Sequence, residues 1–97
     1  TDNILLEYWM GDHLMGDDFT AAKVPDLRVK IRGTAPVAKV SIIRNNKYIS
    51  QQTPGTQDVA FTFRDTQPLA GTSYYYLRVE QANGQTAWSS PIWVTVQ

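Results

Sequence analysis

The sequence contains no cysteine and a single histidine in 97 residues. No disulfide can staple the fold, and no thiolate is available as nucleophile or metal ligand. One histidine leaves any catalytic triad with a single candidate base. Charge of one sign is not in surplus: nine Lys and Arg balance nine Asp and Glu. A dedicated nucleic-acid binder displaces counterions with a basic surplus, so nucleic acid is not expected as a partner. No apolar run approaches the length of a membrane span, so no membrane span is expected. No signal peptide is visible, and absent cysteine fits any compartment, so composition leaves the localisation unknown. Apolar residues never recur at helical period over a helix-length stretch. Internal repeats, low-complexity tracts and linkers are also lacking.

The chain's length allows one domain, residues 1–97, which buries roughly 60–65% of its unfolded surface without staples. It begins at Thr1 rather than at methionine, which leads us to expect a module cut from a longer protein. Strand-like segments fill it. Ile4, Leu6, Tyr8 and Met10 share one face of a first strand, and Leu5 and Trp9 make the other face apolar too, as if both sides were covered. Phe19 is expected to return to the core after the Gly16-Asp17-Asp18 turn. Leu27, Val29 and Ile31 alternate with Arg28, Lys30 and Arg32, the pattern of a half-buried strand with a solvated basic face. Val40 and Ile42 point inward on the next strand, with Lys39, Ser41 and Ile43 outward. Asn45-Asn46 fits a two-residue hairpin turn, because asparagine tolerates positive φ. Thr53-Pro54-Gly55-Thr56 reads as a type II turn. Val59, Phe61 and Phe63 alternate with polar neighbours, and Gln67-Pro68-Leu69-Ala70-Gly71 reads as a connecting loop.

The closing stretch, Ser73 to Val96, reads as two strands joined by a tight turn at Asn83-Gly84. Tyr75, Leu77 and Val79 point inward on the first, and Ile92, Val94 and Val96 on the second. Short strands at this spacing predict an all-β fold: an antiparallel β-sandwich of about seven strands, immunoglobulin- or fibronectin type III-like, with no disulfide. Tyr75 stands where such folds build a tyrosine corner. The cysteine pair and the third-strand tryptophan of antibody domains are absent, which favours the simpler fibronectin-like variants.

Candidate chemistry is thin. Asp12, His13, Asp17 and Asp18 lie within seven positions, but zinc wants three or four nitrogen or sulfur ligands and calcium six to eight oxygens. A polar turn is the better reading. Ser89-Ser90 precede Pro91 without a nucleophile elbow or an evident base. The basic row Arg28, Lys30 and Arg32 reads as a solvated strand face that discourages edge pairing. No catalytic residue, metal ligand or cofactor is therefore expected, and the module is not expected to be an enzyme by itself.

Inward Tyr75, Leu77 and Val79 place Tyr74 and Tyr76 on the outer face, and inward Ile92, Val94 and Val96 place Trp93 there as well. With Ile43 from the neighbouring strand, one sheet is expected to expose Ile43, Tyr74, Tyr76 and Trp93 together. A contiguous apolar patch of this kind marks a contact surface. Its partner would be a neighbouring domain, since tyrosine and tryptophan anchor interfaces. The alternatives are a carbohydrate or other ligand stacked on the rings, and rings that simply cover the outer face of a small sandwich and bind nothing. Trp88 stays unassigned between core and surface.

Three segments carry a resemblance: Ile4-Leu5-Leu6-Glu7 with Gly16-Asp17-Asp18-Phe19; Gly33-Thr34-Ala35-Pro36-Val37 leading to Ile42-Ile43-Arg44-Asn45; and Tyr75-Tyr76-Leu77-Arg78-Val79 through Gly84 to Ala87-Trp88-Ser89-Ser90-Pro91-Ile92-Trp93-Val94. Together they resemble the C-terminal immunoglobulin-like portion of a bacterial family of uncharacterised proteins related to the PHP (polymerase and histidinol phosphatase) metal-dependent phosphoesterases. In such proteins the metal ligands belong to a preceding domain, so none transfers to these residues. The resemblance implies a non-catalytic accessory module that packs against a metal-dependent hydrolase-like domain on its N-terminal side. It also admits a periplasmic or extracellular place.

Overall fold

The computed structural model describes residues 4–66 and 70–96. Ten strands are present among them: β1 (Leu5–Met10), β2 (His13–Leu14), β3 (Asp18–Ala21), β4 (Leu27–Arg32), β5 (Val37–Arg44), β6 (Lys47–Gln52), β7 (Asp58–Phe63), β8 (Gly71–Gln81), β9 (Thr86–Trp88) and β10 (Ile92–Val96). One sheet runs β2-β1-β4-β7 and the other β3-β10-β8-β5-β6, with β9 also paired to β8. All pairings are antiparallel except β3 with β10. The expected seven strands correspond to β1, β4, β5, β6, β7, β8 and the divided β9–β10. The short β2 and β3 arise where the chain leaves the first sheet after β1 and crosses to the edge of the second.

Period-two patterning produces the two inner faces. Leu6, Tyr8 and Met10 of β1 and Leu27, Val29 and Ile31 of β4 meet Val40 and Ile42 of β5, Tyr75, Leu77 and Val79 of β8, and Ile92 and Val94 of β10 in one buried cluster. Phe61 and Phe63 on the edge strand β7 pack against it only partly buried. Phe19 joins its rim. The second face of β1 differs from expectation: Leu5 is exposed and Trp9 is partly buried, with the Arg28 guanidinium carbon 5.4 Å from its ring centroid. No second layer covers that face among the described residues, so the sheet is buried on one side only.

The turns follow local chemistry. Asn45 and Asn46 both have positive φ, 52° and 68°, the type I′ geometry that matches strand twist. The β8–β9 turn is not a two-residue turn. Gly84 N–H donates to the Gln81 carbonyl at 3.0 Å, Gln81 N–H donates to the Gln85 carbonyl at 2.8 Å, and Gly84 alone takes positive φ, +88°. That is the three-residue loop, a turn followed by a left-handed glycine. Gly33 is needed for space: a Cβ there would meet the Ala35 carbonyl and Gln81 Oε1 at 2.8 Å. The buried Gln81 amide uses that space to accept the Thr34 N–H at 2.8 Å and to donate to Asn83 Oδ1 at 3.1 Å. Residues 67–69 of the expected connecting loop lie outside the described residues.

Two tyrosines tie the sandwich together. Tyr8, fully buried on β1, places its hydroxyl 2.6 Å from the Tyr75 carbonyl and 3.0 Å from the Ser90 carbonyl, so it donates across the core to the second sheet. Tyr75 donates to the Asp65 carboxylate at 2.6 Å, and Arg44 donates to the same oxygen at 2.6 Å. The expected corner thus closes on a side-chain carboxylate ten positions upstream. Burial raises the pKa of both phenols, and for Tyr75 the Asp65 carboxylate raises it further.

Two outcomes follow for stability. Tyr8→Phe should lower the unfolding free energy by about 1–3 kcal/mol, because it strands a buried carbonyl; denaturant melts read this. Because the folded pKa values of Tyr8 and Tyr75 are raised, their contribution is fully present below the unfolded phenol value near ~10 and is lost as pH rises above it. Melting temperature should therefore fall above about pH 10, and more shallowly in Tyr8→Phe. An equal slope in both proteins would contradict the assignment.

Candidate functional site

The final strand positions the site through an interruption. Trp88 and Trp93 are five positions apart, and on one continuous strand an odd spacing would send them to opposite faces. The register shows a one-residue shift between β9 and β10: Trp88 stands opposite Arg78, whereas Trp93 stands opposite Tyr74. Both indoles therefore emerge on the same outer face. Ser89-Ser90-Pro91 absorbs the extra residue. Ser89 N–H donates to the Leu77 carbonyl at 3.0 Å, and the Ser89 hydroxyl accepts the Leu77 N–H at 2.8 Å, which replaces a ladder bond. Pro91 needs no donor partner. Its carbonyl accepts the Gly16 N–H at 2.8 Å, while the Ser90 carbonyl faces Tyr8.

A connected row of rings results. The Trp93 and Tyr74 centroids are 4.9 Å apart with planes 39° apart, Tyr74 and Tyr76 lie 6.2 Å apart and nearly parallel, and Tyr76 and Trp88 lie 6.0 Å apart and 38° tilted. Trp88 and Trp93 are 57% and 43% exposed, and the two tyrosines are half-buried. The Arg78 guanidinium carbon sits 5.1 Å from the Trp88 centroid, within cation–π range. Arg78 Nη1 donates to the Tyr48 hydroxyl at 3.2 Å and pairs with Glu80 at 3.3 Å. Tyr48, on β6, is itself exposed.

Tyr74, Tyr76 and Trp93 thus lie together on one face. Ile43 is on the same face, opposite Tyr76 and Tyr48 in the register, but it is only 1% exposed. Exposure of Ile43 is therefore corrected: large rings on both flanking strands leave it no access to solvent. Ser41, also outward, is fully buried beside Arg78, which crosses β5 to reach Tyr48. Sequence reading left Trp88 unassigned and did not include Arg78 or Tyr48. The Ser-Ser-Pro interruption between the tryptophans was the available signal.

The other candidates resolve into local structure. His13 stacks on Phe19, with centroids 3.7 Å apart, and its Nδ1 lies 2.5 Å from Asp17 Oδ2. That hydrogen bond, followed by one from the Asp18 N–H, holds the Asp17 carboxyl below the usual carboxylate range. No set of three metal-ligating side chains converges among the described residues. The basic row is matched by its neighbours: Arg28 covers Trp9, Lys30 stands opposite Glu7, and Arg32 faces Asp58 at 4.0 Å. No helix is long and apolar enough to cross a membrane among the described residues.

No family model matches the chain. It is 31% identical over 108 aligned positions to an uncharacterised protein of Chlamydia trachomatis serovar D, 32% identical to one of Chlamydia pneumoniae and 30% identical to one of Chlamydia muridarum. Each match covers 94% of this chain and 17% of the relative, so the chain spans about a sixth of the length of the curated relatives it matches. Among solved structures, the fibronectin(III)-like modules of Clostridium thermocellum CbhA superpose with a TM-score of 0.52 at 5% identity, covering 93% of this chain and 95% of that one. The chain has a fibronectin type III-like β-sandwich fold.

Proposed function

We propose that this chain is a non-catalytic accessory module that packs against a neighbouring domain of the same polypeptide through its outer aromatic face. The observation that carries the reading is the convergence of two exposed indoles with Tyr74, Tyr76, Arg78 and Tyr48 on one sheet face. Trp, Tyr and Arg are the residues that dominate binding energy at protein interfaces. The chlamydial relatives extend far beyond the aligned segment, which is 17% of their length, so chain to serve as partner exists in them. The neighbour's character, a metal-dependent hydrolase-like domain on the N-terminal side, rests on the resemblance drawn above.

Carbohydrate stacking is the competing use of the same face. A flat sugar platform needs coplanar, open ring faces. Here each indole is tilted by nearly 40° from its tyrosine neighbour, and one face of Trp88 is taken by Arg78. A corrugated surface of this kind suits an irregular protein partner better.

Acrylamide quenching tests the docking, with Trp9→Phe as background so that only Trp88 and Trp93 report. Quenching should be strong in the 97-residue chain and several-fold weaker when the segment carries its natural flanking sequence. Equal quenching in both would overturn the reading. Saturable quenching of the isolated chain by a polysaccharide, lost in Trp93→Ala, would replace it with the carbohydrate reading. In the remainder of the relatives, clustered His-x-His and Asp/Glu metal ligands should be found; their absence would remove the hydrolase assignment while leaving the docking intact.

A further inference from the structure

The aromatic row is not uniform, and its two ends differ in a way that bears on how a partner is held. At the Trp93 end the ring is flanked by Tyr74 and, in the parallel register with β3, by Asp18. At the other end three strands contribute to one corner: Trp88 from β9, Arg78 from β8 and Tyr48 from β6. Here Arg78 is already immobilised. Its guanidinium lies over Trp88, and both of its polar contacts, to Tyr48 and to Glu80, are made by Nη1. Its Nε is buried and has no partner among the described residues, and neither has the neighbouring Ser41 hydroxyl. An arginine fixed in this way loses little further rotamer freedom on binding. It also holds donor capacity that no described residue uses, since a guanidinium carries five N–H groups.

Resting on the docking reading above, we infer that the Trp88–Arg78–Tyr48 corner is the anchor of that interface. The neighbouring domain of the same polypeptide presents there a hydrogen-bond acceptor, a carboxylate or a backbone carbonyl, to the Nη2 side of Arg78, while its apolar atoms close over Trp88. The Trp93 end contributes covering surface. The corner combines the residue types of an interface hot spot with a pre-set geometry, and the ring of Trp88 offers the larger free area of the two indoles. Trp88 faces Arg78 through the β8–β9 register that the preceding hairpin sets, and the one-residue shift at Ser89-Ser90-Pro91 then brings Trp93 onto the same face.

The test compares Arg78→Lys, Trp88→Ala and Trp93→Ala in the longer polypeptide on the Trp9→Phe background, with acrylamide access to the remaining indoles as readout. Melting of the same variants in the isolated chain checks that each still folds. Arg78→Lys keeps the charge but loses the planar fork and the stacking. The expected result is a tenfold or greater rise in the open population for Arg78→Lys and Trp88→Ala, and a smaller rise for Trp93→Ala. If Trp93→Ala opens the interface as much as Arg78→Lys does, the corner is not the anchor, although docking stands. If the unsubstituted longer polypeptide shows no shielding, docking and anchor both fall. If concentrating the isolated chain produces the same shielding, the occupant is a second copy, and the assignment to a neighbouring domain is overturned.

Discussion

The Tyr8 hydroxyl is the contact on which most of this molecule depends. It reaches from β1 across the core to the Tyr75 carbonyl at 2.6 Å and stands 3.0 Å from the Ser90 carbonyl. With no cysteine available, the two sheets are joined by apolar burial and by polar contacts of which this donor is the most deeply buried. A buried carbonyl left without a donor costs about 1–3 kcal/mol, a sizeable part of the 5–15 kcal/mol typical of a domain. The same hydroxyl secures the Ser89-Ser90-Pro91 interruption, where the last strand gives up ladder bonds to gain one residue. Core closure and the layout of the outer face are therefore coupled through one side chain.

A second polar group meets β8 at the same residue, through the Tyr75 side chain. Arg44, Asp65 and Tyr75 form a shielded triad in which the carboxylate takes both donors at 2.6 Å, with side chains only 14% and 5% exposed for Arg44 and Asp65. Burial works against the Arg44 charge, and Asp65 together with Tyr75 more than offsets it, so the guanidinium pKa is raised. In related folds the corner tyrosine reaches the backbone. Here the acceptor is a charge, and the cation needed to balance it comes from the end of β5. The Gln81 amide plays a comparable part at the C-terminal end of β8, joining the Gly33–Thr34 turn to Asn83. The longest strand is thus fastened near its middle and at its C-terminal end by hydrogen-bonded side chains.

That outer face behaves as a thin second layer. Ile43 and Ser41 are covered by rings and by Arg78 as fully as core residues are, although Ile43 belongs to a different surface from the main cluster. On the opposite outer face, on the β1–β4–β7 sheet, Arg28 lies over Trp9, Lys30 stands opposite Glu7 and Arg32 faces Asp58. The contrast between a face whose cations meet their own neighbours and an aromatic face ending in Arg78 supports the proposed contact surface on the larger sheet.

Much of the architecture was legible in the residues. Period-two alternation in β4 and β8 assigns each side chain to a face wherever one side of a sheet is buried, and asparagine and glycine mark the turns. Those properties are local, and the sequence by itself determined them: an all-β sandwich, its inward rows, and Tyr74, Tyr76 and Trp93 on a common outer side. The tertiary structure decided what depends on pairing between distant segments. Whether Trp88 joins Trp93 depends on a register shift relative to β8, whether Ile43 is exposed depends on ring size on two flanking strands, and whether Arg78 is fixed depends on Tyr48 arriving from β6. Alternation predicts direction for a continuous strand but not the residue gained at a break, and no local pattern records which rings lie over a neighbouring strand.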